Sequence, residues 1–170
     1  YEVLLGLTGK GETFRSVTTV RFSAQAGSST FIDAIVDSVH SITLNGRSVD
    51  PEAACRPGRI LLNDLAADNV LTVDAEFFYM NTGEGLHRFT DPVDDEVYLY
   101  TQFEVPDARR VFAVFEQPDL KADFSFTVVA PEHWDVVSNS PTPAPAEPGA
   151  DAEVLGLDGQ GLKSWRFAPT

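Results

Sequence analysis

Apolar and polar residues alternate along much of the chain, in short segments that turn residues separate. The first half contains six of them: YEVLLGLT, TFRSVTTVRFSA, STFIDAIVD, HSITLNG, GRILLND and NVLTVDAEFFYM. A period of two places successive side chains on opposite faces of a strand, and Gly, Asn, Asp or Pro bounds each segment. The pattern predicts an all-β, mainly antiparallel fold, a saddle-like β-sandwich with one short helix.

The short helix is predicted at residues 107–117, DARRVFAVFEQ. Asp107 is in position to cap the free N–H groups at its start, and Val111, Phe112 and Phe115 would share one apolar face. The segments DFSFTVVA and WDVVSN follow as strands.

A proline-rich segment, SPTPAPAEPGAD, precedes the last two predicted strands, EVLGLDG and LKSWRFAPT. Its alternating prolines favour extended conformation and cannot donate to a sheet, so residues 141–148 are predicted to form an exposed, mobile loop. The strands on both sides belong to one core, which predicts a single domain over residues 1–170.

The composition narrows the choice of partners. The chain has 12 Lys and Arg against 26 Asp and Glu, a net charge of -14, and 43% of its residues are hydrophobic. A hydrophobic fraction of this size is typical of a globular protein, while the negative surface would repel phosphate and anionic lipid. Neither nucleic acid nor a membrane surface is expected as a partner.

Other sequence signals favour a cytoplasmic protein. The single Cys55 cannot form an intramolecular disulfide. No segment approaches the roughly 20 apolar residues of a membrane-spanning helix, and the first residues lack the layout of a signal peptide.

Familiar catalytic motifs are missing from the sequence. His40, His87 and His133 are far apart and belong to no HExxH or paired-cysteine motif, so the chain is expected to bind no metal. No nucleophile motif or P-loop is present. The segment GEGLHRF is interpreted as a turn rather than a phosphate loop, and DPVDDE as a solvated acidic turn.

One strand pattern ends in polar residues whose position needs an explanation. In YLYTQFE, the alternation places Tyr98, Tyr100, Gln102 and Glu104 on one face of an extended strand. Two polar side chains at the end of that face have a function only if a ligand or another part of the protein lies opposite them.

The segments GEGLHRFTDP, YLYTQFEVPDARRVFAVFEQPDLKADF and WDVVSN together resemble the amino-terminal domain of the aminopeptidase N family. The resemblance is strongest over residues 83–140, and SITLNGRSV and the terminal WRFAPT are similar in character. It implies a zinc metallo-aminopeptidase whose zinc ligands and catalytic glutamate lie on an HExxH motif in a following domain. This chain would then be a fragment that binds no zinc itself, with that catalytic domain as its partner.

The resemblance also implies roles for Gln102 and Glu104. An aminopeptidase acts on peptides with a free N-terminus, and in the family the acid at the position of Glu104 helps to bind the substrate ammonium. Two unit charges about 4 Å apart attract by roughly 4 kcal/mol at an effective dielectric of about 20, before desolvation. Gln102 would line the pocket for the first substrate side chain.

For both residues a purely structural role stays open, and for the chain a different function stays open. Glu104 would otherwise be a carboxylate at the start of a helix, and Gln102 an exposed strand residue. The chain itself would otherwise be a stand-alone β-sandwich module that binds a ligand or a protein. GxMEN and HExxH motifs downstream of Thr170 would distinguish the aminopeptidase from the module.

Overall fold

The computed structural model describes residues 1–170 as a mainly antiparallel β fold. Its strands are β1 (Glu2–Gly6), β2 (Thr13–Ser23), β3 (Thr30–Asp33), β4 (Ser38–Leu44), β5 (Arg47–Val49), β6 (Cys55–Arg56), β7 (Arg59–Leu62), β8 (Asp68–Phe78), β9 (Gly85–Thr90), β10 (Val97–Gln102), β11 (Ser125–Pro131) and β12 (Leu162–Arg166). The helical elements are α1 (Pro51–Ala54), a 3-10 turn (Ala108–Arg110) and α2 (Gly149–Val154). The prediction of an all-β fold is confirmed.

Seven of the strands form the main sheet, in the order β12–β11–β1–β2–β8–β4–β5. The neighbouring strands pair antiparallel, except for β1 and β11, which are parallel. A three-stranded sheet, β3–β7–β6, and a two-stranded sheet, β10–β9, complete the fold. No helix in the chain has the length and apolar character needed to cross a bilayer.

The core lies against the alternating apolar face of the two longest strands. On β2, Phe14 and Val20 are 3% and 2% exposed, and on β8, Leu71 and Phe77 are 0% and 1% exposed. Burying a side chain of this size contributes roughly 1.5 to 3 kcal/mol, so the paired strands β2 and β8 form the centre of the domain. The period-two pattern therefore identified the inward face correctly.

The prediction of a helix over residues 107–117 is wrong, because only a single 3-10 turn forms there and Asp107 makes no capping hydrogen bond. The 3-10 turn ends at Arg110, and Val111, Phe112, Ala113 and Val114 are then all buried. Four consecutive residues cannot all face the core from an amphipathic surface helix. The segment forms no α-helix, and Val114 exchanges two backbone hydrogen bonds with Asp33 of β3, at 2.9 and 3.0 Å, as an isolated bridge.

Three further local predictions are wrong. The segment GEGLHRF is a turn only up to Glu84, because β9 begins at Gly85. The segment WDVVSN forms no strand. The predicted strand EVLGLDG is occupied in part by α2, where the carboxylate of Asp151 accepts hydrogen bonds from Ser164 and Arg166 of β12 at 2.8 and 2.6 Å. These side-chain contacts attach the helix to the sheet edge, which no local pattern reveals.

The proline-rich segment is largely exposed, as expected, but it is not separate from the sheet. Ala146 and Ser164 of β12 exchange two backbone hydrogen bonds, both 2.9 Å long. Ala146 directly follows Pro145 and keeps its own N–H, so it can pair where a proline cannot. The expectation that this segment stays out of the sheet is therefore wrong at Ala146, and its mobility stays a prediction.

Candidate functional site

Of the two residues singled out by the sequence, Gln102 ends the β9–β10 hairpin and Glu104 lies just beyond it. Antiparallel pairing places Gly85 opposite Gln102, His87 opposite Tyr100 and Phe89 opposite Tyr98. Because directly paired residues project to the same side of a sheet, these three pairs share one face, which we call the outer face.

The inner face of the hairpin attaches it to the body of the domain. Leu86 is 3% exposed, and Leu99 packs against the core. On the same face, the guanidinium of Arg88, which is paired with Leu99, donates to the carbonyl oxygens of Gly9 and Gly11 in the loop between β1 and β2. It also lies 5.1 Å from the centre of the Tyr79 ring, a cation–π distance. Backbone hydrogen bonds from Met80 N to Leu86 O and from Arg88 N to Met80 O, 2.8 and 2.7 Å long, add a second attachment of the hairpin.

Aromatic side chains cover the outer face and are about half exposed. The exposed fractions are 46% for Phe89, 50% for Tyr98 and 52% for Tyr100, and the His87 ring stacks on Tyr100 with 4.7 Å between ring centres. The Tyr98 hydroxyl donates to the Asp94 carboxylate at 2.8 Å, which raises the pKa of Tyr98. An aromatic surface of this kind is typical of regions that contact a ligand or a partner.

Gln102 and Glu104 are neighbours in the structure, but they do not share a strand face as the alternation predicted. Strand β10 ends at Gln102, so Glu104 is not on the strand face with Tyr98 and Tyr100. Instead the Gln102 Oε1 atom accepts the Glu104 backbone N–H at 2.9 Å. Both residues are exposed, and the Glu104 carboxylate forms no hydrogen bond or ion pair within the chain.

Glu104 belongs to a tight turn, residues 103–107, which we call the Glu104 turn. A backbone hydrogen bond of 3.4 Å from Asp107 N to Phe103 O closes it, and the Phe103 ring packs edge-on against Phe112, 5.8 Å away. Arg109 Nε donates to the Pro106 carbonyl at 2.9 Å. The turn is held at both ends while Glu104 projects to solvent, and no α-helix follows for its carboxylate to cap.

An apolar groove of about 790 Å³ adjoins the hairpin. It is lined by 30 residues, of which 21 are hydrophobic. They include Leu99 of the hairpin, Phe103 and Val105 of the Glu104 turn, and Val136 and Val137 after β11. Val105 and Val137 are 65% and 80% exposed. A groove with this lining resembles a binding surface more than an ordinary polar surface.

The histidines do not meet in a metal site. His40 lies 3.1 Å from Glu76, His133 lies 3.8 Å from Glu96, and the Nδ1 atom of His87 accepts the Gly83 N–H at 3.0 Å. No group of three or more His, Cys, Asp or Glu side chains is arranged to hold a metal ion. The residues of this chain therefore do not fit a zinc site.

Comparison with known proteins shows the family to which the chain belongs. Residues 1–154 match the family model of the peptidase M1 N-terminal domain. The chain belongs to the peptidase M1 family. It is also 60% identical to aminopeptidase N of Streptomyces lividans over 174 residues, which cover 100% of the chain and 19% of that relative. The resemblance inferred from the sequence motifs is confirmed.

Other members of the family match more weakly. Aminopeptidase Ey of Gallus gallus is 32% identical over 101 residues, 55% of the chain and 10% of that protein. Aminopeptidase N of Homo sapiens is 24% identical over 159 residues, 79% of the chain and 16% of that protein. The chain thus spans less than a fifth of each of these relatives and corresponds to the N-terminal domain of an M1 aminopeptidase.

Sequence reasoning predicted a role for Gln102 and Glu104, which stays a prediction, but missed the surface around them. The outer aromatic face had a signal, because HRF at residues 87–89 alternates in the same way as YLY at 98–100. The interpretation of GEGLHRF as a turn concealed it. The groove had no such signal, since its lining comes from segments distant in sequence.

Proposed function

We propose that this domain supplies part of the substrate-binding site of a zinc metallo-aminopeptidase, which removes N-terminal amino acids from peptides. Glu104 binds the α-ammonium group of the substrate, and Gln102 lines the pocket for the first side chain. The observation that carries the proposal is the exposed Glu104 carboxylate, which has no partner in the chain and lies on a turn held from both ends.

The geometry supports a shared role for the two residues. Gln102 uses its Oε1 atom to hold the Glu104 backbone, and its NH₂ group stays available to a ligand. Once substrate and the remainder of the enzyme exclude water, an ammonium about 4 Å from Glu104 is attracted by roughly 4 kcal/mol at an effective dielectric near 20, before the desolvation of both charges is subtracted. An internal peptide bond offers no such charge, so this contact selects free N-termini.

Zinc belongs to the rest of the enzyme in this proposal. The histidines of the domain do not cluster, so the ligands are expected outside residues 1–170. A zinc ion bound there would supply Lewis-acid chemistry, and the residues of this chain would contribute binding and orientation. The aromatic outer face and the apolar groove offer surface for packing against the catalytic domain.

The stand-alone binding module is the second candidate function, and the groove is the observation that favours it. A volume of about 790 Å³ lies within the range of roughly 300–1,000 Å³ seen for small-molecule sites. The 60% identity over the whole chain to a small part of a longer aminopeptidase weighs against it.

The two functions are separated by comparing the isolated domain with the protein encoded by the complete gene. The complete protein should carry zinc and hydrolyse aminoacyl arylamides in a chelator-sensitive manner, whereas the isolated domain should do neither. A gene that encodes no HExxH motif, or a full-length protein without aminopeptidase activity, would reject the proposal. Tight zinc binding by residues 1–170 alone would reject the assignment of the metal to another domain.

A further inference from the structure

The segment that carries Gln102 and Glu104 has two flanks that must be held together. On one side, Gln102 pairs with Gly85, which directly follows Glu84. On the other side, the Glu104 turn ends at Asp107. If either flank moved, the distance between the two proposed substrate contacts would change.

A single guanidinium joins these flanks. Arg110 Nε donates to Asp107 Oδ1 at 2.7 Å, and its terminal NH₂ lies 3.6 Å from Glu84 Oε1. The side chains of Arg110 and Asp107 are only 25% and 16% exposed, so the pair is partly shielded from solvent. The planar guanidinium of arginine can donate hydrogen bonds to two carboxylates at once, which a lysine ammonium does less well.

The stem of Arg110 also packs directly on the hairpin backbone. Gly85 has a φ of +63°, and a Cβ atom added there would lie 2.8 Å from Arg110 Cβ and 3.2 Å from Arg110 Cδ. Only glycine permits this approach without displacement. Arg110 therefore contacts the residue that is paired with Gln102, in addition to bridging the two acidic flanks.

We propose that Arg110 is a positioning residue that acts through Glu84, Gly85 and Asp107 to fix Gln102 and Glu104 relative to each other. It does not touch the substrate. The inference rests on the proposed function, because it assigns the arginine a role only if Glu104 binds the substrate ammonium. Misplacement by about 1 Å can cost up to roughly 100-fold in rate, so such a residue has measurable influence.

The test is a double-mutant cycle in the full-length enzyme, with kcat/KM for an aminoacyl arylamide as the readout. Arg110→Gln should lower kcat/KM by about tenfold in the wild-type background but by a smaller factor, about threefold, in a Glu104→Gln background, because the Glu104 contact is already lost there while Gln102 is still displaced. Arg110→Lys should recover only part of the loss. Arg21→Gln is the matched control, since Arg21 forms an exposed ion pair with Glu2, and should leave kcat/KM unchanged.

Equal losses from Arg110→Gln in the two backgrounds, or no loss in either, would overturn the positioning role. If Arg110→Gln does not fold, the double substitution Glu84→Gln with Asp107→Asn removes the same ion pairs and is judged by the same comparison. The Glu104→Gln enzyme alone reports on the proposed function. Wild-type kcat/KM in that enzyme rejects the proposed function, whereas a reduced value with equal Arg110 effects rejects only the positioning role.

Discussion

Replacing Glu104 by Gln in the full-length enzyme removes one negative charge and keeps the size of the side chain. Within the domain, the carboxylate is exposed and has no hydrogen bond or ion pair to lose. The backbone N–H that Gln102 accepts is unchanged by the substitution. The free energy of unfolding should therefore change by less than about 0.5 kcal/mol, as for most surface substitutions.

Substrate turnover should respond much more strongly. Truncating one member of a desolvated charge pair typically costs about 2 to 5 kcal/mol, because the other charge is left without a partner. A loss of about 2 kcal/mol in transition-state binding corresponds to roughly a 30-fold fall in kcat/KM, which is the minimum effect expected.

The assay compares steady-state kinetics and thermal unfolding of the same preparations. Glu153→Gln is a suitable control, because Glu153 is also exposed and without an ion pair but lies on α2. It should leave both kcat/KM and the melting temperature unchanged. An N-acetylated substrate analogue, which lacks the ammonium, should bind the wild-type and Glu104→Gln enzymes equally weakly.

One result would refute the reasoning directly. If Glu104→Gln kept wild-type kcat/KM while lowering the melting temperature, the carboxylate would have a structural role. The interpretation of Glu104 as a carboxylate that stabilises the following turn would then be correct.

Further predictions concern specificity, packing and pH. Gln102→Ala should reorder substrates by their first side chain with a loss of about 1 to 2 kcal/mol, and an unchanged ranking across an aminoacyl arylamide series would contradict it. Gly85→Ala should lower the melting temperature more than Gly46→Ala, because both positions have positive φ but a Cβ meets neighbouring atoms only at the first. Burial raises the pKa of Tyr79 from 10.0 to about 12, so the folded state holds this proton more tightly than the unfolded state. The free energy of unfolding should therefore fall by about 1 to 3 kcal/mol as the pH rises from 10 to about 12, and chemical denaturation of Tyr79→Phe should show a smaller fall. Ala146→Pro should destabilise the domain by about 1 to 3 kcal/mol in the same assay, and an unchanged value would mean that the bridge to β12 contributes nothing.

Local sequence determined much of this domain. Strands β2 and β8 follow from strict alternation, because a period of two fixes which side chains meet the core wherever one face is buried. The turn at Asn45–Gly46 follows from residues that tolerate positive φ, and both adopt it, at 52° and 76°. The order of motifs around Gln102 and Glu104 was long enough to indicate the family. The cytoplasmic location and the single-domain boundaries stay predictions.

Tertiary structure decided what local patterns could not. The apolar residues Val111 to Val114 match a helix as well as a strand, and the pairing of Val114 with Asp33 across the fold excludes the helix. Glu104 lies beside Gln102 through a side-chain hydrogen bond rather than through strand alternation. The contact between Arg110 and Glu84 joins residues 26 positions apart, and the free energy of such a contact depends on the packed fold, which no short window of sequence encodes.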